Sequence, residues 1–191
     1  MARYSVIYDA CVLYPAPLRD LLLQLATANL FRAHWSDQIQ HEWVQSLLLD
    51  RPDLDPEKLR RTVELMNGAV LDCIVSGYEH LIGSLTLPDA NDRHVVAAAV
   101  HAKADAIITY NLKDFPATIL SPLHLEAIHP DDFLTYQVDL NDAAVIQATS
   151  AICRRLRMPK LSGKEYLDTL LSLGLPKTVA ALRPFEKLIS P

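Results

Sequence analysis

Several stretches of this 191-residue chain put acidic or amide side chains where an open parallel sheet would build a site. Asp9 ends the apolar run 4–8, and Asn111 and Asp114 follow the apolar run 106–110. Asp89 and Asp92 open a segment that continues into small apolar residues, and Glu42 lies between His41 and Trp43. In open parallel sheets, ligands gather outside the carboxyl ends of the strands. Each residue also has an ordinary reading: Asp9 as a turn or cap, Glu42 as a surface acid, Asp89 and Asp92 as a helix cap and first-turn acid, Asn111 and Asp114 as a turn and a cap. Together they make a set of like charges whose clustering is costly unless a cation compensates. Oxygen ligands without Cys or His partners favour Mg²⁺ or Mn²⁺ over Zn²⁺. Such an ion, keeping water among its ligands, suits phosphodiester cleavage.

The elements that must position these residues can be read from periodicity. Run 4–8 has the length and the Val, Ile and Tyr content of a buried strand. Leu18, Leu21, Leu22, Leu25 and Ala26 recur at helical spacing and predict a helix over about 17–29. Ser36 can cap the next helix, which carries Ile39, Trp43, Leu47 and Leu48 on one side. A further helix is expected over about 57–67, with Gly68 as its stop, and a short one around 78–84. Asp89 or Asn91 caps a helix running to about Lys103, 106–110 forms a second strand, 123–128 another, and 131–136 a short closing helix. Strand, helices, strand is the pattern of an α/β domain with a central parallel sheet flanked by helices. From Leu140 on the pattern is helical, over about 140–157, 162–173 and 176–188, and Ser162 with Glu165 has capping-box spacing. These helices are too short for a core of their own and are expected to pack on, or reach beyond, the α/β body. The expected division is thus an α/β domain over 1–136 and a helical C-terminal extension over 137–191.

Composition narrows the classes. Half the residues are hydrophobic and 21% are charged, which excludes an intrinsically disordered chain. The net charge of −5 argues against a protein that grips nucleic acid by a broad basic face. It is unevenly spread: residues 1–136 carry 10 basic and 18 acidic side chains, net −8, and residues 137–191 carry 8 and 5, net +3. Cys11, Cys73 and Cys153 form no CxxC pair and read as small buried hydrophobes. There is no signal-peptide pattern and no apolar run of membrane-spanning length, so the expected compartment is a reducing cytoplasm.

Four segments, VIYDACVLYP, HEW, LPDANDRHVVAAAV and IITYNLKDFP, in this order and spacing, resemble the PIN-domain ribonucleases, and among them the VapC-like toxins of bacterial type II toxin–antitoxin modules. The likeness covers about residues 4–135, and the tail resembles a helical C-terminal extension seen in a subgroup of these toxins. It implies a PIN-like fold and a Mg²⁺- or Mn²⁺-dependent endoribonuclease. The family's acids fall on Asp9, Glu42 and Asp92, with Asp89 an additional acid nearby, and its fourth position falls on Asn111, with Asp114 just beyond. Many members have Asp where this chain has Asn111, so either Asp114 supplies the charge or the metal is held by three acids and an amide. Cys11 stands where the family often has a polar Asn. The resemblance further implies that Asp9, Asp92 and Asp114 or Asn111 ligate the metal, and that Glu42 ligates a second ion or orients the attacking water. RNA would be cut to leave a 5′-phosphate and a 3′-hydroxyl. A cognate antitoxin with a DNA-binding domain is the implied partner, and a homodimer the implied assembly.

Candidate contacts to RNA phosphates are Arg93, Lys113 and the basic run Arg154, Arg155, Arg157 and Lys160. For Arg93 a salt bridge is the competing reading, and for the basic run a solvated face or pairing with acids of the same chain. His41 and His94 are read either as packing or surface residues or as substrate contacts. The rival to an enzyme is a catalytically degraded PIN-like module that binds protein or RNA, in which Asn111 and Cys11 mark the lost site.

Overall fold

The computed structural model describes residues 3–156 and 160–190. In chain order its elements begin with β1 (Ser5–Tyr8), α1 (Ala10–Leu13), α2 (Ala16–Thr27), β2 (Arg32–His34), α3 (Asp37–Asp50), α4 (Pro56–Ala69) and α5 (Glu79–Ile82). They continue with α6 (Arg93–Ala102), β3 (Ala106–Ile108), α7 (Ala117–Leu120), β4 (Glu126–Ile128), α8 (Pro130–Arg155), α9 (Gly163–Ser172), α10 (Pro176–Leu182) and α11 (Glu186–Ile189). Contacts gather them into two compact units, one of residues 1–14 and 31–129, the other of residues 15–30 and 130–191.

The first unit is built on a four-stranded sheet in the order β2-β1-β3-β4, parallel throughout. Parallel strands are covered on both faces and therefore read as unbroken apolar runs. Val6, Ile7, Tyr8, Ala106, Ile107 and Ile108 fit that rule, all at zero exposure. Helix α6 packs against β1 and β3 through Val95–Ala99, a fully buried stretch whose small side chains let helix and sheet approach closely. It ends on Lys103 in the left-handed region, φ 52°, and the chain turns directly into β3.

Three features differ from the sequence reading. Strand β2 was not anticipated: three residues, Arg-Ala-His, at the sheet edge show no apolar run. Helix α4 runs through Gly68 to Ala69, because its length is set by burial of Leu59 and Met66 on one face. The expected closing helix at 131–136 is the first part of α8, which extends to Arg155 and breaks at Asn141 (φ −161°, ψ 77°). The Asn141 carboxamide oxygen accepts the Ala144 N–H at 3.0 Å and so caps the second half.

Among the described residues the second unit has helices and no strand. Leu18, Leu21, Leu22 and Leu25 of α2 are fully buried, and so are Leu134 and Val145 of α8, Leu167 and Leu170 of α9, and Leu182 of α10. The C-terminal helices thus share a core, and α2 is part of it. Ser162 and Glu165 make the expected capping box at the start of α9. Buried Asp131 accepts the backbone N–H groups of Lys177 and Thr178 at 2.9 and 2.8 Å, and so caps α10 from a distant helix. Among the described residues no helix is long and apolar enough to cross a membrane.

Candidate active site

Asp9, Glu42, Asp92 and Asn111 line one cleft of about 510 Å³ in the α/β unit. Asp9 directly follows β1, and the parallel register pairs Tyr8 with Ile108, so Asp9 and Thr109 emerge side by side. The Asp9 carboxylate is held at both oxygens: Oδ1 accepts the Ala10 N–H at 2.7 Å, and Oδ2 accepts the Thr109 hydroxyl at 2.7 Å and the Cys11 thiol at 3.1 Å. These neighbours leave Asp9 only 5% exposed, although it lines the cleft.

Thr109 continues the linkage by accepting the Asn111 N–H at 3.0 Å. The side chain of Asn111 thereby stands at the cleft wall, immediately after the second of the two strand ends. Asp114 lies one 3₁₀ turn further on and does not line the cleft.

Cys11 differs from the small buried hydrophobe expected of it. It is half-buried, donates to Asp9 and receives the Tyr110 N–H on sulfur at 3.3 Å. Burial first, and then the Asp9 charge, push the thiol up to about 12. In the metal-free protein the Cys11 thiol is thus held as a donor to Asp9. Cys73 and Cys153 are buried, as their reading predicted.

Asp92 ends the 3₁₀ turn Ala90–Asp92, capped by Asp89 through its bond to the Asn91 N–H at 2.8 Å. Partial burial raises the Asp92 carboxyl, and the charges of Asp9, Asp89 and Asp114 raise it further, to about 6, with His94 opposing. Asp89 and Asp114 thus act on the cleft through their field without lining it. Glu42, on α3, is half-exposed, and its Oε1 meets Nε2 of His94 at 2.8 Å and the Gln38 amide at 3.4 Å. His94 lies on α6 and is 3% exposed. Neither Thr109 nor the pairing of His94 with Glu42 was foreseen, since each links segments far apart in sequence.

The donor set fits a hard divalent cation. Asp9, Glu42, Asp92 and Asn111 offer oxygen donors, and the repulsion that adds to burial in raising Asp92 is what a cation would relieve. Among the described residues no group of three or more His, Cys, Asp or Glu side chains is placed to hold a metal ion. One or two carboxylates plus several waters is the manner in which Mg²⁺ is ordinarily held.

The basic candidates are dispersed. Nε of Arg93 donates to the Ala90 carbonyl at 2.9 Å, and among the described residues Arg93 pairs with no carboxylate, so the salt-bridge reading fails. Lys113 is exposed beside the cleft residue Asn111. Arg154 and Arg155 are exposed in the last turn of α8, and Lys160 is exposed after it. Arg157 lies outside the described residues. Ser36 is fully buried and caps α3 through the Ile39 N–H.

Residues 5–113 match the family model of the PIN domain, and the chain belongs to that family. Residues 130–184 match the family model described as the VapC50 C-terminal domain. A protein of Mycobacterium tuberculosis (strain ATCC 25618 / H37Rv) named "Putative ribonuclease VapC50" is 48% identical over 94 residues, covering 49% of this chain and 55% of the relative. The chain thus spans about half the length of the curated relative it matches. No solved structure matches it.

Proposed function

We propose that this protein is a Mg²⁺- or Mn²⁺-dependent endoribonuclease that acts as the toxin of a toxin–antitoxin pair in the cytoplasm. The observation that carries the reading is the convergence of Asp9, Glu42, Asp92 and Asn111 on one cleft, with the Asp92 carboxyl raised by burial and further by its acidic neighbours. The name of the Mycobacterium tuberculosis relative supports ribonuclease chemistry and the toxin family. In this reading residues 1–136 carry the nuclease, and 137–191 form a helical extension whose Arg154, Arg155, Arg157 and Lys160 guide RNA by its phosphates. The partner is a cognate antitoxin with a DNA-binding domain, and the assembly is a homodimer.

Asp9 and Asp92 would hold the cation, with Asn111 or Asp114 completing the set, and when bound it would supply charge neutralisation at the phosphate and activation of water. Thr109 and Cys11 keep the Asp9 carboxylate oriented. Glu42 orients the attacking water and takes its proton as the new P–O bond forms. The 3′-oxygen leaves the phosphorus and takes a proton from solvent water, giving a 3′-hydroxyl and a 5′-phosphate. Arg93 and Lys113 contact neighbouring phosphates.

The test is RNA cleavage across a Mg²⁺ and Mn²⁺ titration with wild-type protein and Asp9→Asn. Metal-dependent cleavage lost in Asp9→Asn is the expected result. No cleavage, with metal binding weaker than millimolar, would favour a binding module that has lost catalysis.

A further inference from the structure

We propose that His94 is a positioning residue that fixes the Glu42 carboxylate at the edge of the cleft, a role that rests on the nuclease reading above. Nε2 of His94 lies 2.8 Å from Oε1 of Glu42. The two residues come from separate helices, α6 and α3, and differ sharply in freedom. His94 is 3% exposed and opens the buried stretch Val95–Ala99, so its ring is clamped by the packing of helix on sheet. The Glu42 side chain is 36% exposed and lines an open cleft, where a free glutamate would sample many rotamers. The contact transfers the rigidity of the buried helix to a carboxylate at the surface.

Two details give the contact a direction. Nδ1 of His94 is buried and has no hydrogen-bond partner among the described residues. A proton there would be an N–H without an acceptor, and would leave a lone pair on Nε2 facing the carboxylate. The ring proton therefore sits on Nε2 and is donated to Glu42. The second detail is which oxygen is engaged. Both His94 and the Gln38 amide donate to Oε1, and no described residue donates to Oε2. One oxygen is anchored and the other is left for the cleft. Carboxylates in metal sites are ordinarily held in turn by hydrogen bonds from groups behind them.

The experiment uses the full chain. Ring-nitrogen NMR of the metal-free protein is expected to show the Nε2-protonated tautomer, with exchange of that proton accelerated in Glu42→Ala. RNA cleavage in Mg²⁺ is compared for wild type, His94→Leu and His94→Gln, with thermal unfolding of each. Leucine fills the buried space without a donor, and kcat should fall about 10–100-fold with little change in KM. Glutamine places an amide N–H near the position of Nε2 and should recover most of the rate. Wild-type rates in His94→Leu, equal impairment of both variants, or an Nδ1-protonated ring in a cleaving enzyme would each overturn the role of His94 alone. Absence of cleavage by the wild-type protein would overturn the nuclease reading and the role with it. If His94→Leu does not fold, the glutamine variant and the wild-type tautomer decide.

Discussion

The Thr109 hydroxyl donates to Oδ2 of Asp9 across 2.7 Å, joining the carboxyl ends of two adjacent parallel strands. Thr109 is fully buried, and its oxygen also accepts the Asn111 N–H, so one side chain sets the relation of two cleft residues. Valine keeps the shape of threonine and removes both bonds. Thr109→Val should lower stability by about 1–3 kcal/mol, since it strips a donor from a buried carboxylate and an acceptor from a backbone N–H. Under the proposed nuclease function, metal-dependent RNA cleavage should fall about 10–100-fold. Denaturant unfolding and cleavage kinetics on the same preparation check both parts.

Asp131 makes a corresponding link in the helical unit. Besides the two N–H groups at the start of α10, it accepts the Thr178 hydroxyl at 2.8 Å, all in a site 3% exposed. Asp131→Ala would leave the two backbone N–H groups without their acceptor, while the Thr178 hydroxyl keeps the Asp131 carbonyl at 3.1 Å, and should cost about 2–4 kcal/mol in chemical denaturation. A loss below about 0.5 kcal/mol would show that water replaces the carboxylate.

Gly163, at the first position of α9, faces the backbone of the C-terminal turn. A Cβ there would lie 2.6 Å from the Glu186 carbonyl oxygen and 2.8 Å from Oγ of Ser190. Alanine ordinarily stabilises a helix relative to glycine. Here the clash with backbone should reverse the sign, and Gly163→Ala should destabilise by about 1–3 kcal/mol, read as a lowered denaturation midpoint.

Asp20 supplies a pH signature. Partial burial raises its carboxyl pKa, with Arg19 and Arg155 opposing. A carboxyl raised on folding contributes stability that is fully present below its unfolded pKa and is lost as pH rises through the folded value. At neutral pH the charged form is therefore a liability in the fold. Asp20→Asn should raise the melting temperature at pH 7, and the gain should shrink to nothing as the pH falls below the ordinary carboxylate range. A gain that persists in acid would assign the effect to something other than this charge.

What could be read in advance followed from local pattern. Strands β1 and β3 are unbroken apolar runs, α2 and α3 carry their burial at helical spacing, and α6 is a run of small apolar residues behind a capping signal, so all five were legible. The same holds for the capping box of Ser162 with Glu165, a three-residue signal. Features that depend on distant partners were not legible. Arg32–His34 becomes a strand only because β1 offers it an edge. Gly68 stays helical because the helix around it is buried on one face. Asp9 is buried by Thr109, and His94 meets Glu42, across about 100 and about 50 residues of chain. Sequence spacing brought the acids under suspicion, but the groups that orient them required the fold.

The membership of α2 in the helical unit has a consequence for synthesis. Its leucines leave the ribosome early, whereas the helices that cover them begin only at residue 130. At roughly 5–20 residues per second, that leaves an apolar stripe uncovered for about 5–20 s. During that interval the nascent chain presents a ready site to holdase chaperones, and any stop codon ahead of the tail would make that exposure permanent.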